Sequence, residues 1–268
     1  MRWLASLWLA GLVACASPGE SEIRFASPAL DAAPHWDFSN PAESKQRFLA
    51  LAQGGQGDLK LEAWTQAARA DGLLGQFDAA RKRLAAVEAR LAGAGASVQV
   101  RHALELGRVE NSSGAPEVSV PHFVRALNLA QDAGFGGLAV DAAHMLGIAE
   151  PGEAGLRWTE RAMVLAETSQ DPSARRWRPV LFNNLGWAEF DAGRPERALA
   201  HFERALLLRE EVGEQESIWV ARWCVARCLR ELGRRGEALA VQRALRADRE
   251  AAGRPSTHVD EEIRLLER

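Results

Sequence analysis

Small apolar residues recur along the chain at an almost constant spacing. Ala68, Gly107, Gly147, Gly186 and Ala226 lie 39, 40, 39 and 40 residues apart, each within a stretch rich in Ala, Leu, Arg and Glu. These residue types favour helices, and β-branched runs of alternating polarity, which would predict strands, do not occur. The pattern therefore predicts a helical chain that repeats one unit five times.

A second landmark follows four of the small residues, and it predicts the partner helix of each unit. The segments are Arg125-Ala126-Leu127, Arg161-Ala162-Met163, Arg204-Ala205-Leu206 and Arg243-Ala244-Leu245. Glycine-containing stretches between the two landmarks, at 75–78, 111–114, 193–196 and 233–236, predict turns. In the third unit the separation is four residues shorter, about one helical turn. We therefore expect a tight turn at 150–152 with shortened helices.

The flanks of the repeats differ from the repeats themselves. Asn40-Pro41 followed by Glu43 is typical of a helix start, with a cap, a proline in the first turn and an acid at the third position. We expect a capping helix and linker over 41–57, five repeats over 58–251 and a C-terminal capping helix over 252–268. Terminal repeats need such covers because each unit buries its apolar face only against neighbours.

The fourth unit resembles tetratricopeptide repeats (TPRs). Their pattern W-x2-L-G-x2-Y…A-x3-F is approximated by Phe182, Leu185, Gly186, Ala198 and Phe202. Glu189 and Glu210 depart from the pattern, and the period of 39 to 40 residues exceeds the usual 34. The resemblance implies an all-α fold, a right-handed superhelix (α-solenoid) of about five helix-turn-helix units. It implies little about function, because such repeats serve many unrelated partners.

In tetratricopeptide superhelices the first helix of each pair lines the concave side through its second, fifth, ninth and twelfth positions. Carried onto this sequence, the resemblance implies a partner-binding surface made of Arg69, Arg101, Arg108, Asn111, His144, Asn183, Trp187, Trp223, Arg227 and Arg230. Asn184 is assigned to the interior of its helix pair. Arginine forks, amides and indoles suit a protein or peptide partner that is acidic or bears carboxylates.

An alternative interpretation of the arginines stays open at this stage. Acids recur at the eleventh position of the first helices, as Asp71, Glu110, Glu150 and Glu189. The arginines could pair with acids of neighbouring repeats instead of binding a ligand, and the two tryptophans could be packing residues. The sequence alone does not decide between a binding groove and an internal network.

Motifs of catalysis, metal binding and cofactor binding are absent from the sequence. Cys224 and Cys228 lie four residues apart on one helix, without further ligands for zinc, and are expected to be buried and reduced. The six histidines have no metal-ligand spacing, and no nucleotide-binding loop occurs. We expect no cofactor, no metal and no enzymatic activity; an enzyme using His144 with Asp141 is the least favoured hypothesis. The formal net charge of −3 argues against nucleic acid as a partner.

The N-terminus predicts an export signal. Residues 3–14 form an apolar run too short to span a bilayer, and Leu12-Val13-Ala14-Cys15 resembles the lipobox of bacterial lipoproteins. The resemblance implies a signal peptide over 1–14, a lipid anchor on Cys15 and a flexible tether over 15–40. It favours the periplasmic side of the outer membrane in the bacterial cell envelope. The alternative is a cytoplasmic regulatory repeat domain whose first residues are misassigned or uncleaved. The oligomeric state is not predicted.

We predict that the parent protein incorporates labelled palmitate in a bacterial host and that Cys15→Ala abolishes the label. The anchor would consist of several acyl chains, which hold a protein at a membrane more firmly than one chain does. Metabolic labelling followed by immunoprecipitation measures this. Absence of label in the parent would contradict the lipoprotein hypothesis and favour the cytoplasmic alternative.

Overall fold

The computed structural model describes residues 28–150 and 152–268, and within these ranges the protein forms thirteen α-helices and no strand. In chain order the helices are α1 (Pro41–Gly54), α2 (Gly57–Leu73), α3 (Phe77–Glu88), α4 (Ala96–Ser112), α5 (Pro116–Asp132), α6 (Gly136–Ala149), α7 (Gly152–Thr168), α8 (Pro172–Arg175), α9 (Arg178–Asp191), α10 (Pro195–Val212), α11 (Gln215–Glu231), α12 (Arg235–Ala251) and α13 (Thr257–Glu267). The expectation of an all-α solenoid is confirmed.

The helices pack as a row of hairpins. The five pairs are α2–α3, α4–α5, α6–α7, α9–α10 and α11–α12, and the second helix of one pair packs against the first helix of the next. Phe123 and Phe202 are among the fully buried side chains of the second and fourth pairs. The largest buried cluster runs continuously from α4 to α9, and smaller clusters lie towards both ends of the row.

The recurring small residues lie where the two helices of a hairpin touch. A methyl group added to Gly107 would overlap the ring of Phe123 on α5, and one added to Gly186 would overlap the ring of Phe202 on α10. Ala68 and Ala226 are completely buried at the corresponding positions of α2 and α11. Gly107 and Gly186 thus admit a large ring of the partner helix, and the regular spacing reflects the need for a small residue at this place in each hairpin.

The third hairpin is built differently. An added methyl group on Gly155 of α7 would lie 2.7 Å from the carbonyl oxygen of Gly147 on α6, so the two backbones are in contact. Helix α6 ends at Ala149 and α7 begins at Gly152, which confirms the expected short separation of the two helices. Only α6 is shortened, however, since α7 keeps 17 residues. The sequence expectation of two short helices is wrong for α7.

The two ends of the row are covered by helices. Asn40 caps α1 by accepting from the backbone N–H of Glu43 at 3.2 Å, which confirms the predicted helix start. At the other end α13 packs on α12 and α11 and buries Val259, Ile263 and Leu266.

Helix α8 was not foreseen from the sequence. It fills the linker between the third and fourth hairpins. The carboxylate of Asp171 caps it, accepting from Ser173 N at 2.8 Å, and also accepts from Gly137 N of α6 at 3.0 Å. The linker is thereby tied to the third hairpin.

Residues 28–38, the arm, differ from the flexible tether expected over 15–40. The arm packs against α1, α2 and α4, and Leu30 and Ala32 are buried there. The absence of α-helical periodicity suggests a loose segment, but the arm, which has one 3₁₀ turn at Ala33–His35, is ordered by the surface on which it lies. The remaining part of the expected tether, 15–27, and the signal peptide lie outside the described residues.

We predict that Gly107→Ala lowers the free energy of unfolding by about 1–3 kcal/mol, because the new methyl group overlaps a fully buried ring. This loss opposes the better helix propensity of alanine, worth up to about 1 kcal/mol. Gly236→Ala is the matched control, since its methyl group would meet nothing within 4 Å on α12. Urea unfolding measures both variants. Equal or greater stability of Gly107→Ala would show that the hairpin contact does not need a glycine.

Candidate functional site

The sequence-derived surface, here called the first-helix face, is formed by α2, α4, α6, α9 and α11. Its second, fifth, ninth and twelfth positions carry the ten residues predicted to bind a partner. Most of its arginines contact acids of the protein itself. Arg101 of α4 lies 3.2 Å from a carboxylate oxygen of Glu62 on α2, and its Nη2 donates to the carbonyl oxygen of Leu30 in the arm, also at 3.2 Å. Glu62 is fully buried.

Arg108 links two consecutive first helices. Its guanidinium donates to Glu105 at 2.6 Å on its own helix and to Asp141 of α6 at 2.5 Å. Burial alone would raise the pKa of the Asp141 carboxyl, but the charges of Arg108 and Arg69 outweigh it and lower that pKa. Burial alone would likewise lower the pKa of Arg108, and its two acidic partners raise it instead. Both shifts favour the charged forms of Arg108 and Asp141.

Helix α11, the first helix of the fifth hairpin, shows the same arrangement. Its Arg227 and Arg230 both contact Glu262 on α13, and the Nε of Arg230 lies 2.8 Å from a carboxylate oxygen of Glu262. Glu262 is itself buried. These arginines therefore hold the C-terminal covering helix against the last hairpin.

Arg69 takes a different partner. Its guanidinium lies over the rings of Trp36 and Phe38 of the arm, 5.3 and 5.4 Å from their centroids. Burial is the main cause of a lowered pKa for Arg69. The half-buried Asn111 lies in the last turn of α4, where its backbone carbonyl oxygen accepts from the backbone N–H of Gly114 at 3.3 Å.

The two tryptophans are mainly packing residues. The ring of Trp187 lies 5.1 Å from that of Phe202, 5.4 Å from that of Phe190 and 6.2 Å from that of Trp223. Asn183 belongs to the same contact, since its side-chain oxygen accepts from the thiol of Cys224 at 3.6 Å. An aromatic cluster thus joins α9, α10 and α11.

The neighbouring Asn184 faces a cavity. This α6–α9 cavity has a volume of about 780 Å³ and is lined by His144, Ile148, Asn184, Trp187 and Asp191, among others. The Nδ2 of Asn184 lies 3.2 Å from Nδ1 of His144. The sequence-based assignment of Asn184 to the helix-pair interior is therefore wrong, and Asn183 is the one that packs between helices.

His144 is uncharged at neutral pH. Burial, reinforced by the charges of Arg108 and Arg69, lowers its pKa in spite of Asp141. Asp141 is bound by Arg108 and does not orient His144 as a catalytic acid would orient its base. The cavity offers a neutral imidazole and an amide, a pair suited to hydrogen bonding with peptide groups.

A second cavity, here called the arginine cavity, adjoins the first. It has a volume of about 450 Å³ and lies between the start of α9 and the end of α10, lined by Arg175, Arg176, Arg178, Pro179, Val180, Leu208, Arg209, Glu211, Val212, Glu214 and Ser217. Val180 also lines the α6–α9 cavity, so the two share a wall. These arginines lie outside the first-helix register, so the repeat pattern does not predict them.

The four arginines of this cavity carry charge that the described residues do not neutralise by direct pairing. Within residues 28–150 and 152–268 no carboxylate lies within 4 Å of their guanidinium nitrogens. The Nε of Arg178 is buried without a hydrogen-bond partner there, and Arg209 donates only to the carbonyl oxygen of Ser217, at 3.1 Å. Burial lowers the pKa of Arg209. Such guanidinium groups are ready donors for an incoming anion.

The acids expected at the eleventh position pair elsewhere. Asp71 and Glu110 bind Arg83 and Arg81 of α3, at 3.0 and 2.9 Å, while Glu189 binds Arg194. Glu150 accepts from the indole of Trp158 at 3.0 Å. The internal network therefore exists, but the first-helix arginines use acids at other positions, above all Glu62, Asp141 and Glu262.

Two cysteines lie on α11. Cys224 and Cys228 form no disulfide and are buried, as expected, and burial raises the pKa of each thiol to about 11. No cluster of three or more His, Cys, Asp or Glu side chains with metal-binding geometry occurs in the described part of the chain. None of the helices in this part is long and apolar enough to cross a membrane.

We predict that Asp141→Asn lowers the free energy of unfolding by about 2–3 kcal/mol. The loss stays below the full cost of stranding a buried charge, because Glu105 remains beside Arg108. Glu267→Gln is the matched control: its pair with Arg243 is exposed and contributes less than about 1 kcal/mol. Urea unfolding at neutral pH compares them, and similar losses in the two variants would contradict a stabilising role for the Arg108 network.

No protein-family model and no curated protein matches the chain. Its structure is similar to the apo form of RapI, with a TM-score of 0.64 and 12% identity over 85% of this chain and 64% of that one. It is similar to the apo quorum sensor NprR from B. thuringiensis, with a TM-score of 0.61 and 12% identity over 86% and 64% of the two chains. It is also similar to a putative kinesin light chain from Podosopora anserina with nearly identical TPR-like repeats, with a TM-score of 0.57 and 18% identity over 72% and 96%. At such identities the likeness shows the fold alone: the chain is a TPR-like α-solenoid.

Proposed function

We propose that the protein is a binding scaffold that holds a peptide, or an extended segment of a protein, along α9. The observation that carries the proposal is the position of the two cavities. They meet at Val180 of α9, one rich in unpaired arginines and the other lined by hydrogen-bonding and apolar groups. An extended peptide that crosses Val180 would occupy both.

The arginine cavity is proposed to receive a carboxylate. Arg178 and Arg209 provide donors at its wall, while Leu208 and Val212 provide an apolar surface for the adjoining side chain. Arginine binds carboxylates through two parallel hydrogen bonds, which fixes the direction of the bound group. The proposal keeps the carboxylate-bearing partner expected from the sequence, but it assigns the binding to arginines other than those predicted.

The α6–α9 cavity is proposed to hold the continuation of the segment. His144 and Asn184 are suited to main-chain amides, and Ile148, whose side chain is 53% exposed, provides apolar contact. Asp191 and Glu153 add negative charge at its edge, which favours a basic or amide-bearing residue there. The repeat proteins of similar fold, among them a quorum sensor, support a recognition role over a catalytic one.

We further propose that the scaffold acts at the bacterial cell envelope, on the periplasmic side of the outer membrane, through a lipid on Cys15. The support is the Leu12-Val13-Ala14-Cys15 sequence, which lies outside the described residues. The cytoplasmic alternative keeps the same binding section, defined here as the two cavities along α9, and differs only in the compartment where the partner is found.

The binding section can be tested by site-specific photocrosslinking in the full chain. A photoreactive benzoylphenylalanine at position 148 is expected to give a discrete protein adduct in cells, identified by mass spectrometry. The same residue at position 164 of α7 is the matched control, because Val164 is 56% exposed but lines neither cavity. Asn184→Ala and Arg178→Glu are each expected to weaken the adduct at 148 without lowering the melting temperature.

Two outcomes would contradict the proposed function. Adducts of equal yield and identity at 148 and 164 would show nonspecific contact. An adduct at 148 that survives both Asn184→Ala and Arg178→Glu would place the partner off α9.

A further inference from the structure

The arm is bound along α2 by hydrogen bonds to its main chain. The backbone N–H groups of Ala29 and Leu30 donate to the two carboxylate oxygens of Glu62, each at 3.0 Å. The carbonyl oxygen of Leu30 accepts from Nη2 of Arg101 at 3.2 Å. One residue of the arm therefore has both of its peptide groups held by a buried charged pair, as a bound peptide would.

Side chains of the arm fill places on the same surface. Leu30 is only 4% exposed and lies in the cluster that contains Phe48 of α1 and Ala63 of α2. Trp36 donates from its indole N–H to the side-chain oxygen of Gln66 at 3.0 Å. The rings of Trp36 and Phe38 stack at 4.8 Å, and the guanidinium of Arg69 lies over both. The arm therefore contacts the helices mainly through Leu30 and through the aromatic pair Trp36 and Phe38.

Glu62 keeps two partners without the arm, since it also accepts from the hydroxyl of Ser97 at 2.5 Å and pairs with Arg101. Release of the arm would leave this pair intact, and water could replace the two lost N–H donors, whereas Arg69 would lose both aromatic rings. The charged part of the site is thus formed by α2 and α4, and the arm occupies it.

We propose that residues 28–38 are an intramolecular ligand of a peptide site formed by α1, α2 and α4. The site recognises a segment with an apolar residue in the position of Leu30, a 3₁₀ turn over Ala33–His35 and aromatic residues in the positions of Trp36 and Phe38. In the parent protein the arm fills this site at the high effective concentration of a tethered group. The site is separate from the section along α9 and does not depend on the function proposed for it.

The proposal is tested with a fluorescent peptide of residues 28–39, PALDAAPHWDFS, added to the full chain. The variant Leu30→Ser/Trp36→Ala weakens the arm and is expected to bind the peptide, measured by fluorescence anisotropy. The parent is expected to bind it about tenfold or more weakly, because its own arm competes. Ala33→Ser, at an exposed position of the arm, is the matched control and should behave as the parent does.

Two further samples establish that the peptide uses the proposed site. A peptide carrying the same Leu→Ser and Trp→Ala changes should not bind the released protein. Adding Arg69→Gln to the released protein should weaken binding of the unchanged peptide several-fold, because the cation over the two rings is lost. If the double variant is unfolded at the temperature of the assay, Trp36→Ala alone carries the test, since it leaves Leu30 in place.

The proposal is overturned if the folded variants do not bind the peptide, or if parent and variants bind it equally. Neither result bears on the crosslink at position 148, which lies on α6. The peptide assay and the crosslink can therefore fail independently.

Discussion

Two helices can lie in close contact only where one of them has almost no side chain at the crossing. Gly107 and Gly186 meet this condition by accepting the rings of Phe123 and Phe202. In the third hairpin Gly147 and Gly155 meet it with two glycines, so that backbone touches backbone. Because a small residue recurs every 39 to 40 residues, the hairpins stack in a row with the first helix of each next to the second helix of the one before.

The stacking brings charged residues of consecutive first helices together, and burial requires them to be paired. Arg101 with Glu62, Arg108 with Asp141 and Arg230 with Glu262 are three versions of one solution. The first two pairs join adjacent repeats, the third joins the last repeat to α13, and Arg69 of this face packs on the rings of the arm. Four further arginines line the arginine cavity beside α9, where the linker helix α8 interrupts the regular stack.

The sequence predicts the repeats well because their cause is local. A small residue at one fixed place per hairpin and a glycine in each turn are visible along the chain. The pairing of arginines is not local: Arg108 and Asp141 are 33 residues apart, and their contact depends on how two helices cross. Asn183 and Asn184 show that an error of one residue in the register matters, since consecutive side chains on a helix point about 100° apart. Asn183 packs against Cys224, whereas Asn184 faces the cavity beside His144. The arm was missed for another reason, because its order comes from the surface beneath it and not from any periodicity of its own.

The central claim is that four of the five arginines of the first-helix face are committed to internal ion pairs, while the arginines beside α9 are free to bind. Residue-resolved modification of the native protein by phenylglyoxal, a reagent selective for arginine, tests it without knowledge of any partner. The account predicts that Arg175 and Arg176 react several times faster than Arg101 and Arg108, whose side chains are 11% and 12% exposed and paired. Equal or faster modification of Arg101 and Arg108 in the folded protein would contradict it.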